Sequence, residues 1–375
     1  MGNTKQLSLR PIASAITLAA ALLLPATSKA QQLPDPELLE ASRRGIRYLV
    51  SQQDEKWGYF SDKKVDANAE TLRPIRETNG LSGLAVMAIL SNGNLPGEGT
   101  PESLAVERCI DFFLNPAVHE ADGYYGKSDN SRMYGHGIVT LALAELVGLS
   151  PDAARDAAVR QRCQAAINVI LESQKIPKDD RHRGGWRYNP TDKDSDLSAS
   201  VWQVMALRAA KGTGMDIPND AIASAVGYVK SCCALPKNAG PNWVPTAASF
   251  SYQSWNNNGP ASTTAAGVLS LQVCGAYDSP EVKAGALRLL EDPPKWGHSW
   301  FYYGLYYYAQ GMHQLGGEYE EASLDLLKTV VLPHQNPDGS WPPTSNEAGH
   351  GPIYSTSMAL LALSVRHHYL PIYQR

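Results

Sequence analysis

Beyond residue 30 the chain has no apolar run approaching the roughly 20 residues that a membrane-spanning helix requires. It has no surplus of basic residues either, the formal net charge being −4, so neither nucleic acid nor an anionic bilayer is expected as a partner. Cysteine is sparse. Cys109, Cys163, Cys232, Cys233 and Cys274 are odd in number and lack metal-type spacing. They are read as mostly small buried apolar residues with at most one bridge, and no metal or cofactor is expected.

One apolar run does exist, at the start. Lys5 and Arg10, an apolar segment over residues 12–24 and then Ser28-Lys29-Ala30 follow the three-part pattern of a secretory signal peptide, with cleavage after Ala30. No Cys follows that site, which argues against a lipid-modified end. Removing Lys5, Arg10 and Lys29, with no acid among residues 1–30, takes the net charge from −4 to −7. Residues 31–375 are expected to be exported, to a periplasm or beyond, as one domain.

What that domain contains is a repeat. Six times a helix-patterned stretch, a loop rich in Gly, Trp and Tyr, and a second, more apolar helix-patterned stretch follow one another. The second stretches begin at Ser82, His136, Ser200, Thr264, Tyr303 and Thr356. A helical hairpin cannot bury its apolar face alone, so several must stack. The first helix of each unit alternates apolar and charged residues, as around Ile46 and Leu49 or Ile110 and Phe113, and so has one face in water. The second helices are apolar nearly all round and rich in small residues such as Ala85, Ala142, Ala206 and Ala359. The expected fold is all-α: an α/α toroid of six helical hairpins, with an outer and an inner ring.

Between units the chain turns quickly through Gly, Pro and acidic residues, as at Ser150-Pro151-Asp152 and Gly316-Gly317-Glu318. These turns define a plain rim. The longer loops inside the units then share the opposite rim, where six inner-helix N-termini converge with unpaired N–H groups and partial positive charge. That decorated mouth, and the central cavity behind it, is where function is sought.

Gln335-Asn336-Pro337-Asp338-Gly339-Ser340-Trp341, with looser versions at Gln53 to Trp57, Asp122 to Tyr125 and Gln174 to Trp186, resembles the Gln and Trp repeat of squalene cyclases and protein prenyltransferase β-type subunits. Gly184-Gly185-Trp186-Arg187-Tyr188, Ser195-Asp196-Leu197-Ser198 running into Trp202 to Leu207, and the terminal Tyr369-Leu370-Pro371-Ile372-Tyr373 resemble a group of exported bacterial prenyltransferase/squalene oxidase repeat proteins. The resemblance covers residues 31–375. It implies the toroid, and an isoprenoid or other amphipathic ligand, lipid or peptide, in the cavity.

Cyclases of that family protonate a polyene with an Asp of an Asp-x-Asp-Asp motif at an inner-helix start. Asp192, Asp194 and Asp196 stand at the third inner helix, and Asp194 and Asp196 are the candidate acids. If Ser200 is matched to the Thr that follows the cyclase motif, however, Ser198 and Ala199 fall on the two essential positions. Capping of a helix N-terminus is the alternative role for both acids. The zinc set of the prenyltransferases is missing: no Asp-x-Cys begins an inner helix, and Tyr354 stands near the place of the His.

Tyr303 and Tyr307, four residues apart, are expected to line the cavity, with His136 facing Tyr303 across it. Trp186 and Tyr188 share the rim with the acids, beside Arg187, and Ser200 and Tyr354 complete the expected ligand-binding set. Three activities fit the residues: a terpenoid-cyclase-like reaction, non-catalytic binding, and carbohydrate processing with carboxylate pairs and Trp platforms.

Overall fold

A computed structural model describes residues 35–63, 69–236, 239, 243–256, 258–366 and 370–373. The signal-peptide assignment and Tyr369 lie outside these residues. Residues 34–375 form one compact unit. Twelve α-helices are found among the described residues: α1 Pro36–Gln52, α2 Thr78–Leu90, α3 Pro101–Leu114, α4 Arg132–Leu146, α5 Ala153–Lys175, α6 Leu197–Gly212, α7 Asn219–Ser231, α8 Ala261–Val273, α9 Pro280–Glu291, α10 Phe301–Leu315, α11 Gly317–Leu326 and α12 Gly351–Leu363.

Even-numbered helices form the inner ring. Each packs on the next even-numbered helix, and α12 packs on α2, which closes the circle. Outer helices lie over them, α3 on α2, α5 on α4, and so on to α1 on α12. The structure is thus an all-α, α/α toroid.

Local chemistry explains the outer helices. Asp35, Thr100, Asp152 and Ser279 cap α1, α3, α5 and α9 with side-chain oxygens, and Pro36, Pro101 and Pro280 stand in the first turn, where a missing N–H costs nothing. One face of each is buried, as with Leu38, Ile46 and Leu49 of α1. Each such side chain contributes about 1.5–3 kcal/mol. By contrast every residue of α2 is buried, because it is enclosed by its ring neighbours, its outer helices and the lumen side chains. The five cysteines are all free, with Cys109, Cys163 and Cys232 buried.

One device recurs along the ring. Gln53, Gln174 and Gln335, each at or near the end of an outer helix, donate both to a loop Gly carbonyl and to a carbonyl of the following outer helix: Gly58 and Ala105, Gly184 and Ala221, Gly339 and Ala41. The glycines have positive φ, and a Cβ on Gly184 would lie 2.2 Å from the Ser224 carbonyl oxygen. A loop aromatic follows. The backbone N–H of Phe60, Tyr125, Trp186, Phe250 and Trp341 donates to Ser82 Oγ, His136 Nδ1, Ser200 Oγ, Thr264 Oγ1 and Thr356 Oγ1. These acceptors are the first residues of five of the six repeated stretches.

The centre of the ring is filled. Trp202 of α6 stacks on Tyr306 of α10, with ring centres 5.9 Å apart, although α8 separates these helices in the ring, so the pair spans the lumen. Tyr307 adjoins both, and Tyr303 packs on Tyr307. Residues 370–373 sit at the plain end, where the Tyr373 hydroxyl bonds that of Tyr306 and the Ile372 N–H donates to Glu145 Oε1 at 3.3 Å. Instead of an open hydrocarbon chamber, the structure has an aromatic plug at the centre of the ring.

Candidate functional site at the mouth

Buried acids seat the inner helices. Asp196 caps its own helix, accepting from Ala199 N at 2.8 Å and Ser198 Oγ at 2.7 Å. Asp129 reaches across to α2 and accepts from Asn79 N at 2.7 Å, while Glu347 accepts from Tyr302 N and Tyr303 N at the start of α10 and from the Tyr354 hydroxyl. Burial raises the pKa of all three carboxyls above their ordinary range.

Around Asp196 a polar aromatic cluster is assembled from three units. Arg187 lies with its Nη1 3.3 Å from Asp196 Oδ2 and its Nε 3.3 Å from Asp194 Oδ2. Its guanidinium sits over the rings of Tyr188 and Tyr252, at 4.4 and 5.5 Å. The hydroxyls of Tyr188 and Tyr252 share a hydrogen bond of 2.5 Å. Ser198 Oγ links Asp196 to the Tyr134 hydroxyl, also at 2.5 Å. Below them Lys178 Nζ donates to the Gly185 carbonyl at 2.6 Å, and burial lowers its pKa to about 8. Asp194 is half exposed, whereas Asp196 has no exposed side-chain surface.

One guanidinium thus holds two carboxyl groups, the pairing of acids that glycoside-cleaving sites use, with Asp194 open to solvent and Asp196 closed from it. Elsewhere on the mouth Glu77 Oε2 pairs with His350 Nδ1 at 2.8 Å, joining the first unit to the last, and this contact holds the Glu77 carboxyl below its ordinary pKa. No group of three or more His, Cys, Asp or Glu among the described residues is arranged to hold a metal.

Several expected site residues lie elsewhere. His136 is fully buried against outer helix α5, its Nε2 donating to the Ala166 carbonyl at 3.0 Å and its Nδ1 accepting from Tyr125 N, and it does not face Tyr303 across a cavity. Burial lowers its pKa to about 4. Trp186 is buried between α5 and α6 with Nε1 donating to the Ile170 carbonyl, and Ser200 holds the Trp186 backbone. Neither reaches the mouth. Tyr307 belongs to the central plug, Tyr303 lies at its upper edge, and Tyr354 serves Glu347. Tyr188, Asp194 and Asp196 do come together, joined by Arg187.

Sequence reasoning missed Tyr134, Tyr252, Lys178 and Glu347. Tyr252 and Glu347 sit in loops outside every repeat motif, and no periodicity marks them. Backbone strain marks other mouth residues that the pattern passed over. Glu77, Arg132 and Trp300 have φ of 66°, 57° and 60° at the starts of α2, α4 and α10, a left-handed conformation costing about 1–2 kcal/mol for a residue with a side chain.

No protein-family model matches the sequence, and no curated protein matches it. Among solved structures the chain is similar to an alpha-1,6-mannanase from Salegentibacter sp., with a TM-score of 0.59 and 11% identity over 88% of this chain and 99% of that one. It is also similar to an endo-beta-1,2-glucanase from Chitinophaga pinensis, with a TM-score of 0.52 and 11% identity over 90% and 94% of the two chains. The fold is that of these toroids.

These neighbours overturn the resemblance to squalene cyclases and prenyltransferase subunits, and with it the isoprenoid, lipid or peptide ligand and the cyclase-type isomerase activity. The filled lumen agrees, since Trp202, Tyr306, Tyr307 and Tyr373 occupy the space that a polyene would need. The Gln, Gly and aromatic repeat that carried the resemblance is a joint between helix pairs. It fixes no chemistry.

Proposed function

We propose that this protein is an exported carbohydrate-active toroid that binds a saccharide across its mouth and cleaves a glycosidic bond there. The observation that carries the reading is the Asp194–Arg187–Asp196 arrangement, two carboxylates in unlike environments among tyrosine rings, above a lumen closed to any internal ligand. The alpha-1,6-mannanase and the endo-beta-1,2-glucanase that share this fold act on saccharides, which supports the same reading.

In this scheme half-exposed Asp194 faces the sugar and acts on the anomeric carbon or on an attacking water. Buried Asp196, with its raised pKa, is the proton store. When Asp196 is protonated its hydroxyl donates to Ser198 Oγ and Ser198 donates to Tyr134, the reverse of the bond that Ser198 makes to the carboxylate. The Asp196 proton then passes to Ser198 Oγ as the Ser198 proton moves to Tyr134 and the Tyr134 proton moves to the leaving glycosidic oxygen. Arg187 positions both acids. Tyr134, Tyr188 and Tyr252 supply ring faces and hydroxyls to a sugar.

The test is release of reducing ends from alpha-1,6-mannan, beta-1,2-glucan and starch by protein beginning at residue 31, alongside saccharide binding followed by ligand-observed NMR. Turnover is expected to fall about 100-fold or more in Asp194→Asn and in Ser198→Ala, with binding retained. Binding without cleavage would remove the catalytic half of the proposal. Absence of any saccharide binding at millimolar concentration would remove the whole of it.

A further inference from the structure

A second feature of the mouth lies outside the Arg187 cluster, on the other side of the α8 N-terminus. A cleft of about 460 Å³ opens between the starts of α8 and α10, lined by Pro260, Ser262, Asp292, His298, Trp300 and Ser345 among others. That volume is within the range of about 300–1,000 Å³ typical of ligand sites. Its floor segment leaves α9 through Asp292, Pro293 and Pro294 and ends at Trp300.

The two tryptophans of this segment are treated oppositely. Trp296 is turned inward, stacked on His334 at 3.6 Å and packed against Phe301 and Tyr302. Trp300 is held outward, 43% exposed, in a left-handed backbone conformation that a bulky aromatic seldom adopts. Its N–H is fixed by Asn346 Oδ1 at 2.9 Å, and Glu347 takes the N–H groups of Tyr302 and Tyr303 in the first turn of α10. Two residues of the sixth unit therefore hold in place a conformation that keeps an indole at the edge of a cleft.

We infer that the Trp300 cleft is a second saccharide subsite, which takes a neutral pyranose of the same glycan whose neighbouring residues lie on the Arg187 cluster. This rests on the carbohydrate reading above. The indole face carries the negative part of the ring quadrupole and attracts the polarised C–H face of a sugar ring, while hydroxyls at the ring edge meet Asp292, His298, Ser262 and Ser345. The two charged side chains that line the cleft neutralise each other, Lys295 Nζ lying 2.7 Å from Asp292 Oδ1, and a neutral sugar leaves that pair intact.

The test is calorimetric titration of a neutral oligosaccharide series, disaccharide to hexasaccharide, into Asp194→Asn, Asp194→Asn/Trp300→Ala and Asp194→Asn/Trp300→Phe proteins. The inference expects Trp300→Ala to weaken the hexasaccharide about tenfold and leave the disaccharide unchanged, with Phe restoring most of the loss. Equal weakening of both lengths, no weakening of either, or tighter binding of an oligouronate than of the neutral chain would overturn it while leaving the carbohydrate reading intact. Conversely, if Arg187→Ala leaves every affinity unchanged while 5-fluorotryptophan-labelled protein shows the Trp300 resonance shifting with sugar, the subsite stands and the Arg187 reading fails. No binding by any protein would remove both.

Discussion

Gln335 Nε2 donates to the carbonyl of Ala41, 2.9 Å away and 294 residues earlier in the chain. The same amide hydrogen-bonds the Gly339 carbonyl, and its oxygen accepts from Arg44, so one side chain ties the last loop to the first outer helix. Gln53 makes equivalent bonds at an internal joint, to Gly58, Ala105 and Arg108.

Replacing Gln335 by Ala leaves two carbonyls and one guanidinium short of a partner. Stability is expected to fall by about 1–3 kcal/mol in chemical denaturation. The Gln53→Ala change should cost a similar amount, because the two joints are built alike. A much smaller loss for Gln335 would mean that ring closure does not depend on this residue.

Gly184 and Gly148 separate two effects of a glycine. Both have positive φ, 89° and 85°, but a Cβ on Gly184 would meet the Ser224 carbonyl at 2.2 Å, whereas Gly148 has nothing within 4 Å. Gly148→Ala should therefore cost only the left-handed conformation, about 1–2 kcal/mol. Gly184→Ala adds a backbone collision and should cost roughly 2–5 kcal/mol, read from the shift in denaturation midpoint.

Glu145 makes stability fall as the solution becomes more alkaline. Burial raises its carboxyl from an ordinary 4.5 to about 8, with Ile372 N donating to it and Cys163, Tyr306 and Tyr373 nearby. The unfolded chain releases this proton near pH 4.5, and the folded protein keeps it to about pH 8. The unfolded state is favoured progressively across that window, so the stabilising contribution is whole below it and lost by its upper end. Glu145→Gln should flatten the slope and be the more stable protein at pH 8, as measured by denaturation at a series of pH values.

His136 acts on the acid side. Its buried neutral ring has a pKa lowered from 6.5 to about 4, so between those values the unfolded chain takes up a proton that the folded protein refuses. Stability should decline as pH drops from 6.5 toward 4. In His136→Gln this part of the decline should disappear, and a wild-type profile with no fall over that interval would contradict the buried assignment.

Much of the architecture was legible because helix amphipathicity is a local property. Arg43, Arg44 and Arg47 around Ile46 place α1 outside, and the unbroken apolar character of the stretch from Ser82 places α2 inside. Even the register was readable, since Ser82, His136, Ser200, Thr264 and Thr356 prove to be equivalent positions. Their direction was not. A helix apolar on every side carries no polar face to set its rotation, so nothing local shows that His136 points to α5 and not into the lumen. Of the mouth, the Asp194 and Asp196 pair and Tyr188 were visible as candidates, while Tyr134 and Tyr252 came from neighbouring units that only folding brings to Arg187.

The sequence by itself determined a ring of six helix pairs, which rim carries the long loops, and where the pairs join, because periodicity, caps and glycines act over a few residues. Only the tertiary structure decided that the centre of the ring is filled and that Tyr134 and Tyr252 join Arg187 and Asp196 at the mouth. Filling the lumen takes Trp202, Tyr306 and Tyr373 from three distant segments meeting at one point, and no spacing along a chain records such a meeting.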